Sequence, residues 1–213
     1  RRITAPNKDS TVGATELPKP TVDSPDFRNS HGPASIRNNN PGAMYPGESA
    51  RKFGSTVTHT IGGGHKIAEF PDAISGAAAQ FDLLNSDSYR NKSVASAIAK
   101  WCGHSNPGAY NRFLKEHGID TKATIGDVMA DKDKAITLAS TMARVEAGKD
   151  FPLNKEQWGA AFDKYKEHAT EHAPPATKNH DVSHHRSDSS HHHNRGHHHH
   201  TQSHHHHHRR RHH

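Results

Sequence analysis

The sequence contains a single cysteine, Cys102, among its 213 residues. An intramolecular disulfide is therefore excluded, and cysteine usage gives no indication of the redox compartment. Long hydrophobic runs are also missing, because no segment approaches the roughly 20 apolar residues that a transmembrane helix needs. The sequence therefore predicts neither a disulfide scaffold nor a membrane-spanning segment.

Aromatic residues are almost absent from the two ends of the chain. Residues 34–173 contain twelve of the thirteen aromatics, and only Phe27 lies outside this range. Neither end can bury enough apolar surface to offset the chain entropy that is lost on folding. The sequence therefore predicts a folded domain over 34–173, preceded by a disordered arm (1–33) and followed by a disordered tail (174–213).

The positive charge is concentrated in the tail. Of the net charge of +6, residues 1–33 contribute +1 (five bases, four acids) and residues 34–173 contribute +1 (seventeen bases, sixteen acids). Residues 174–213 contribute +4 (six bases, two acids). A nearly neutral domain lacks the basic excess of a nucleic-acid-binding surface, so we do not expect the folded domain to bind nucleic acid.

The central region changes from a strand pattern to a helical one. Residues 53–70 hold two runs rich in β-branched residues around a triple-glycine turn at 62–64, which predicts a β-hairpin. From Pro71 onward, apolar residues recur at helical spacing and helix-capping residues precede the apolar runs. We therefore predict an α+β, mostly α-helical domain with one hairpin followed by about six helices. The predicted caps are Ser93, Asn106, Thr124 and Asn154.

One predicted helix, in the stretch ASTMARVEAGKDFP, carries a glutamate where packing favours a hydrophobe. Glu146 falls within the apolar arc of this helix, shortly before the predicted helix end at Gly148. A carboxylate directed into a core costs several kcal/mol unless it is paired, protonated or lining a cavity. Glu146 is therefore either a functional acid or an ordinary carboxylate, turned to solvent or paired with an arginine such as Arg37. The apolar arc contains Ile136, Leu138, Ala139, Met142, Ala143 and Val145.

The segment SIRNNNPGAMYPG precedes the predicted hairpin, and GGGHKIAEF, GAAAQFDLL, AIAKW, NPGAY, MARVEAG and FPLNKEQW follow in order. Over residues 34–165, these stretches resemble the lysozyme-like, transglycosylase-like proteins of phage virions and bacterial genomes, which open with an Arg-Asn-Asn-Asn-Pro-Gly segment. The resemblance implies a lysozyme-like fold that cleaves or binds the glycan strand of peptidoglycan. It also implies an exported, cell-envelope or virion-associated location. Many of these relatives are described only as virion structural proteins, so a non-catalytic, wall-binding role is the alternative.

Cleavage of a glycosidic bond needs a general acid, and burial in an apolar pocket raises the pKa of a glutamate toward neutral pH. Glu146 is our first candidate for this acid. Lysozyme-like enzymes usually carry the acid early in the domain, so Glu69, at the end of the hairpin, is a second candidate for the acid. Alternatively, Glu69 serves as a second carboxylate beside Glu146. Glu48 is a third, although PGESARK has the composition of a polar loop. The choice between hydrolysis and transglycosylation stays open.

The asparagine run suggests a sugar-binding wall, because amides offer paired donors and acceptors to hydroxyl and N-acetyl groups. The alternative is a structural turn, since asparagine readily bonds its own backbone and Pro41-Gly42 follows directly. We expect the loop 38–45 and the hairpin to line the groove that Glu146 enters, with two tyrosines stacking on sugar rings. Trp101 and Trp158 are predicted to be core residues. The candidate substrate-binding residues are Arg37, Asn38, Asn39, Asn40, Tyr45 and Tyr110.

Seventeen of the 24 histidines lie in residues 180–213. Neutral imidazoles at this density chelate Ni²⁺, Zn²⁺ or Cu²⁺ without a fold, which suggests a metal-binding protein as a third functional hypothesis. Protonated histidines would instead attract anionic cell-surface polymers. A biased repeat without a role, or in part an expression tag, is the alternative. No cofactor is expected for catalysis. The predicted metal ligands are His191, His192, His193, His197, His198, His199, His200, His204, His205, His206, His207 and His208.

Overall fold

The computed structural model describes residues 21–103 and 107–172. The fold is mostly helical, with 54% of these residues in helices and one antiparallel hairpin. Six helices follow the hairpin, as predicted, and none of the helices in the described residues is long and apolar enough to cross a membrane. The elements are α1 (Ala34–Arg37), α2 (Glu48–Lys52), β1 (Val57–Thr60), β2 (Lys66–Glu69), α3 (Ala73–Leu84), α4 (Val94–Trp101), α5 (Pro107–Glu116), α6 (Ile125–Met129), α7 (Lys132–Ala147) and α8 (Lys155–Glu171).

The hairpin is shorter than the predicted range 53–70. Val57 pairs with Glu69 and Thr60 with Lys66, and a 3₁₀ turn, Gly62–Gly64, connects the strands. All side chains of β1 are exposed, whereas β2 buries Ile67 and Ala68. The hairpin is therefore attached to the domain mainly through its second strand.

Two short helices before the hairpin, α1 and α2, were predicted to be loop. They contain four and five residues, too few to show a helical repeat of apolar positions. Phe53, which was predicted to begin the hairpin, instead caps the C-terminus of α2 and is buried in the core.

The later helices follow the sequence pattern closely. The side chains of Ser93, Thr124 and Asn154 cap α4, α6 and α8, and Asn154 forms a complete capping box with Gln157. The predicted cap Asn106 lies outside the described residues. Helix α3 begins after Asp72, whose side chain accepts a hydrogen bond from Ser75 N, so Pro71 precedes the helix rather than opening it.

Helix α3 forms the centre of the core. Ile74, Ala77, Ala78, Phe81 and Leu84, which recur at helical spacing in the sequence, are all buried. It packs against α8, where the ring of Phe81 contacts three aromatic rings in edge-on or tilted geometry. The three partners are Trp158, Phe162 and Tyr165.

The asparagine segment before the hairpin packs directly on α3. An ideal Cβ placed on Gly76 would lie 1.8 Å from the carbonyl oxygen of Asn39, so no other residue fits at position 76 without movement of the backbone. Asn39 itself has a positive φ of 52°, a conformation that asparagine tolerates better than most residues.

Residues 21–33 differ from the prediction of a disordered arm. The carbonyl of Pro25 accepts a hydrogen bond from Ala73 N at 2.8 Å, and Gln157 Nε2 donates to the carbonyl of Asp23 at 3.2 Å. The ring of Phe27 packs edge-on against that of Phe151. The predicted domain boundary at residue 34 is therefore too late, because contacts made by backbone groups do not appear in an apolar pattern. Residues 1–20 and the predicted tail 174–213 lie outside the described residues.

Candidate active site

A groove of about 450 Å³ contains Glu146. Its walls come from the loop before α2, the start of α2, the hairpin turn, the end of α4 and the last turn of α7. The prediction that the loop 38–45, the hairpin and Glu146 share one groove is confirmed for residues 43–45, 61 and 65. The lining residues are Ala43, Met44, Tyr45, Pro46, Gly47, Glu48, Ser49, Ala50, Ile61, His65, Leu83, Tyr89, Lys100, Trp101, Cys102 and Glu146.

Glu146 reaches this groove because α7 carries a buried stripe to its C-terminal end. Met142 and Ala143, one turn earlier, are fully buried, and the helix ends at Gly148 in a left-handed conformation. Val145, which was predicted to share the apolar arc, is 38% exposed, whereas Ala147 on the other side of Glu146 is buried. The carboxyl group therefore lies half-buried at the edge of the core.

The environment of Glu146 favours its protonated form. Burial raises the pKa of this carboxyl group, and a hydrogen bond from the Tyr110 hydroxyl, 3.3 Å from Glu146 Oε1, only partly opposes the shift. No lysine, arginine or histidine of residues 21–103 and 107–172 forms a salt bridge with Glu146. A desolvated carboxyl group without a cationic partner keeps its proton to higher pH than an exposed one and can therefore donate it.

Two further titratable groups lie near Glu146: Cys102, which lines the groove, and Tyr110, which is buried behind it. Burial raises the pKa of the Cys102 thiol, with a smaller contribution from the negative charge of Glu146. Its Sγ donates a hydrogen bond to the carbonyl of Ile98 at 2.8 Å. Burial and the charge of Glu146 likewise raise the pKa of Tyr110 well above its ordinary value. Tyr110 is therefore a neutral hydrogen-bonding partner of the carboxyl group, and Cys102 is a neutral neighbour that bonds elsewhere.

Tyr110 was predicted to stack on a sugar ring, and the structure contradicts this. Its side chain is only 4% exposed, and its hydroxyl lies 3.1 Å from the carbonyl oxygen of Met142 as well as near Glu146. A buried ring offers no face to a ligand. Tyr110 instead donates a hydrogen bond to Glu146 from the core side of the carboxyl group.

The predicted sugar-binding wall of asparagines is also wrong. Asn39 and Asn40 are fully buried and Asn38 is nearly so. The Asn39 amide bonds Phe27 N, Asp26 Oδ1 and Phe70 O, at 2.8 to 3.0 Å. The structural alternative therefore holds for Asn39, because its oxygen and both of its amide hydrogens bond other chain segments rather than a ligand.

The neighbouring members of the run behave in the same way. Asn40 bonds both the N–H and the carbonyl of Met44 and donates to the carbonyl of Ala68, each at 2.9 Å. Asn38 donates to the carbonyl of Ala34 at 2.7 Å. Arg37 donates from Nε to the carbonyl of Gly32 at 2.8 Å, and it neither pairs with Glu146 nor lines the groove.

The rival carboxylates occupy different environments. Glu69 does not line the groove, and its carboxylate pairs with His59 Nε2 at 2.5 Å and Arg28 at 3.7 Å. Glu48 lines the groove at the start of α2, but its side chain is 80% exposed and lies 3.7 Å from Lys52 Nζ. Neither carboxylate has the desolvated environment of Glu146.

Aromatic rings form the remaining walls of the groove. Tyr45 is 62% exposed and stacks on the ring of His65, with 6.0 Å between centroids, so it stays a candidate platform for a sugar ring. Trp101, predicted to be a core residue, is partly exposed in the groove, whereas Trp158 is buried as predicted. The indole Nε1 of Trp101 donates to the carbonyl of Gly42 at 3.0 Å.

Sequence reasoning did not single out the side chains of His65, Tyr89 and Lys100, which also line the groove. The ring of Tyr89 contacts that of Trp101 at 5.4 Å, and Lys100 Nζ lies 4.8 Å from the Tyr89 ring centre. Tyr89 lies in the irregular segment between α3 and α4, where no periodic pattern indicates direction.

A larger hollow of about 600 Å³ lies between α5, α7 and the start of α8. It is lined by hydroxyl groups of α7 and by the ion pair of Arg144 and Asp150, whose carboxylate is 80% exposed. No carboxyl group in this hollow is both buried and without a cation among the described residues. The groove with Glu146 is therefore the better candidate for acid–base chemistry.

The predicted metal ligands, His191 to His208, lie outside the described residues. Within residues 21–103 and 107–172, no group of three or more His, Cys, Asp or Glu side chains is arranged to hold a metal ion. No protein-family model matches the chain, and no curated protein matches it at a significant level.

Proposed function

We propose that the protein cleaves the glycan strand of peptidoglycan, with Glu146 as the general acid. The observation that carries this proposal is a half-buried carboxyl group of raised pKa, without a cationic partner in the described residues, on the wall of a groove of about 450 Å³. An exposed tyrosine at the rim, Tyr45, offers a face for a sugar ring. The resemblance to lysozyme-like proteins supplies the substrate class.

In this proposal the proton of Glu146 passes to the glycosidic oxygen as the bond from the sugar carbon to that oxygen breaks. The cationic sugar left behind is attacked either by water or by one of its own hydroxyl groups. In the intramolecular route the proton of that hydroxyl group passes to the Glu146 carboxylate, which the first step has ionised. Activation of water usually needs a second carboxylate. Among the described lining residues the other carboxylate is the exposed Glu48, so we favour the intramolecular attack, which is the transglycosylase outcome.

Replacing the acid tests the proposal. Glu146→Gln keeps the shape of the side chain but removes the proton that can be transferred, so the rate of lysis of purified peptidoglycan should fall by about 10²–10⁴-fold. The control is Glu116→Gln, which removes an exposed carboxylate at the end of α5, away from the groove. Full activity of the Glu146 variant would remove this residue from the mechanism. Mass analysis of the wild-type products distinguishes the two outcomes, because intramolecular attack yields ends lighter by one water.

The second candidate function is non-catalytic binding of peptidoglycan in the same groove. It is favoured by the exposed ring of Tyr45 and the partly exposed ring of Trp101 on the groove wall, which suit binding irrespective of acid chemistry. In that case the wild-type protein would sediment with purified peptidoglycan but release no fragments. Tyr45→Ala would weaken sedimentation, whereas Glu146→Gln would leave it unchanged.

A further inference from the structure

The groove of Glu146 contains a lysine whose charge is not balanced by a neighbouring acid. Lys100 is the only lysine or arginine among the described residues that line the groove, and it forms no salt bridge within the described part of the chain. The environment of Glu146 favours its protonated form, and Glu48 is 80% exposed and lies 3.7 Å from Lys52. The groove therefore presents an uncompensated positive charge to a ligand.

Two contacts hold the ammonium group of Lys100 at the wall of the groove. Its Nζ donates a hydrogen bond to the carbonyl of Ser88 at 3.3 Å and lies 4.8 Å from the centre of the Tyr89 ring. Asp87, which precedes Ser88 in the chain, pairs with Arg90 instead, at 2.7 Å. An ammonium group has three donors, and a side chain that is already held loses less entropy when it binds a ligand. Lys100 is therefore prepared to donate to an anionic group in the groove.

We propose that Lys100 makes the groove selective for glycans that carry a carboxylate group, an inference that rests on the function proposed above. A lysine ammonium group forms charge-assisted hydrogen bonds with carboxylates. In peptidoglycan every second sugar carries a lactyl ether, whose carboxylate is free in a strand without peptides and is otherwise joined to a peptide with carboxylates of its own. Neutral glycans such as chitin have no such group. Lys100 thus binds the substrate and takes no part in the proton transfer.

Substrate selection by Lys100 is separable from the acid chemistry of Glu146. The pKa of Glu146 is raised by burial and lowered by the hydrogen bond from Tyr110, neither of which involves Lys100. Removing the charge of Lys100 should therefore leave the pH profile of lysis unchanged. An interaction made equally with the substrate and the transition state affects KM and not kcat. The expected signature of Lys100→Gln is a higher KM for acidic glycans with the same kcat.

The decisive experiment measures binding by calorimetry in the Glu146→Gln variant of the full chain, so that the ligand stays intact and the result does not depend on the acid. The first probe is a peptide-free peptidoglycan tetrasaccharide with free lactyl carboxylates, and the second is the same molecule with these carboxylates converted to neutral methylamides. The third probe is a tetrasaccharide that keeps its peptides. We expect the carboxylate form to bind about 3–10-fold more tightly than the methylamide, and added NaCl to reduce the difference.

Three substitutions added to that variant assign the preference to one charge. Lys100→Gln should abolish it, whereas Lys100→Arg, which keeps the charge, should retain it. The matched control is Lys115→Gln, which removes the charge of an exposed lysine of α5 outside the groove and should change nothing. A preference that is shown only by the peptide-bearing probe, and is lost in Lys100→Gln, would place the recognised carboxylate on the peptide and not on the sugar.

The inference is overturned if all three probes bind equally, or if the preference for a carboxylate survives in Lys100→Gln. It is also overturned if Lys100→Gln weakens the methylamide as much as the carboxylate forms, since that result indicates a purely structural role. In each of these cases the glycan still binds, and the proposed function stands. If none of the probes binds, the proposed function fails together with the inference.

Discussion

The asparagine segment and the end of α7 both place polar side chains in the interior, but the two regions differ in how far those side chains are hydrogen-bonded. In the segment Asn38–Asn40, the buried amides bond backbone groups from three parts of the chain at 2.7 to 3.0 Å. At the end of α7, Glu146 has one neutral partner, Tyr110, at 3.3 Å, and faces a groove. The asparagine amides are hydrogen-bonded within the protein. The carboxyl group of Glu146 keeps most of its hydrogen-bonding capacity for a ligand in the groove.

The difference separates a structural role from a functional one. A buried amide that is fully hydrogen-bonded stabilises the fold and offers nothing to a ligand. A half-buried carboxyl group with few partners costs stability, and such residues are expected mainly at functional sites. Experiments that remove a side chain from each region test the comparison directly.

The largest change in stability is expected for Asn39→Ala. It leaves buried partners in two segments without hydrogen bonds and places alanine at a positive φ, so the free energy of unfolding should fall by about 3–5 kcal/mol. Asn38→Ala, which loses one bond to Ala34, is the control and should cost about 1 kcal/mol. Chemical denaturation measures both. Equal losses of stability in the two variants would mean that the bonds of Asn39 to distant segments contribute no more than the local bond of Asn38.

The second prediction concerns the pH dependence of stability at Glu146. Because its pKa is raised in the folded state above the ordinary value of 4.5, the folded protein holds this proton more strongly than the unfolded chain. Its contribution to stability is therefore present at low pH and is lost as the pH rises through the folded-state pKa. Glutamine does not titrate, so Glu146→Gln should gain stability relative to the wild type between pH 4 and pH 7. A difference that is constant over this range would show that Glu146 is not desolvated.

The smallest effect is expected for Glu69→Gln. Its partners His59 and Arg28 are 48% and 42% exposed, and ion pairs of exposed groups contribute at most about 1 kcal/mol. Lysis of peptidoglycan should be unchanged, since Glu69 does not line the groove. A large loss of activity with normal folding would instead transfer the role of general acid to Glu69.

The helices after residue 71 could be predicted because their apolar repeats and capping residues act locally. The same repeat singled out Glu146, since a charged residue within an apolar arc stands out in sequence. Its neighbour Val145 was placed on the wrong side, because near the end of a helix small rotations decide which side chain faces the core. The pattern thus identified Glu146 correctly as half-buried, although it assigned the adjacent Val145 to the wrong side of the helix.

The role of the asparagine run could not be predicted in this way. A side-chain amide has the same donors and acceptors for a sugar as for a backbone, and only tertiary contacts decide between them. The partners of Asn39, at Phe27 and Phe70, lie 12 and 31 positions away. The same distant contacts explain why the N-terminal boundary was placed too late, since Phe27 stood alone in a segment without a repeat.

The contact between the Asn39 carbonyl and Gly76 also limits how this protein can change in evolution. A Cβ at position 76 would lie 1.8 Å from that oxygen, so the glycine and the path of the asparagine segment can only be altered together. In a family of descendants, we expect Gly76 and Asn39 to persist while the groove residues around Glu146 diverge. The same scaffold could then acquire new ligands without losing the joint that holds its N-terminal segment to α3.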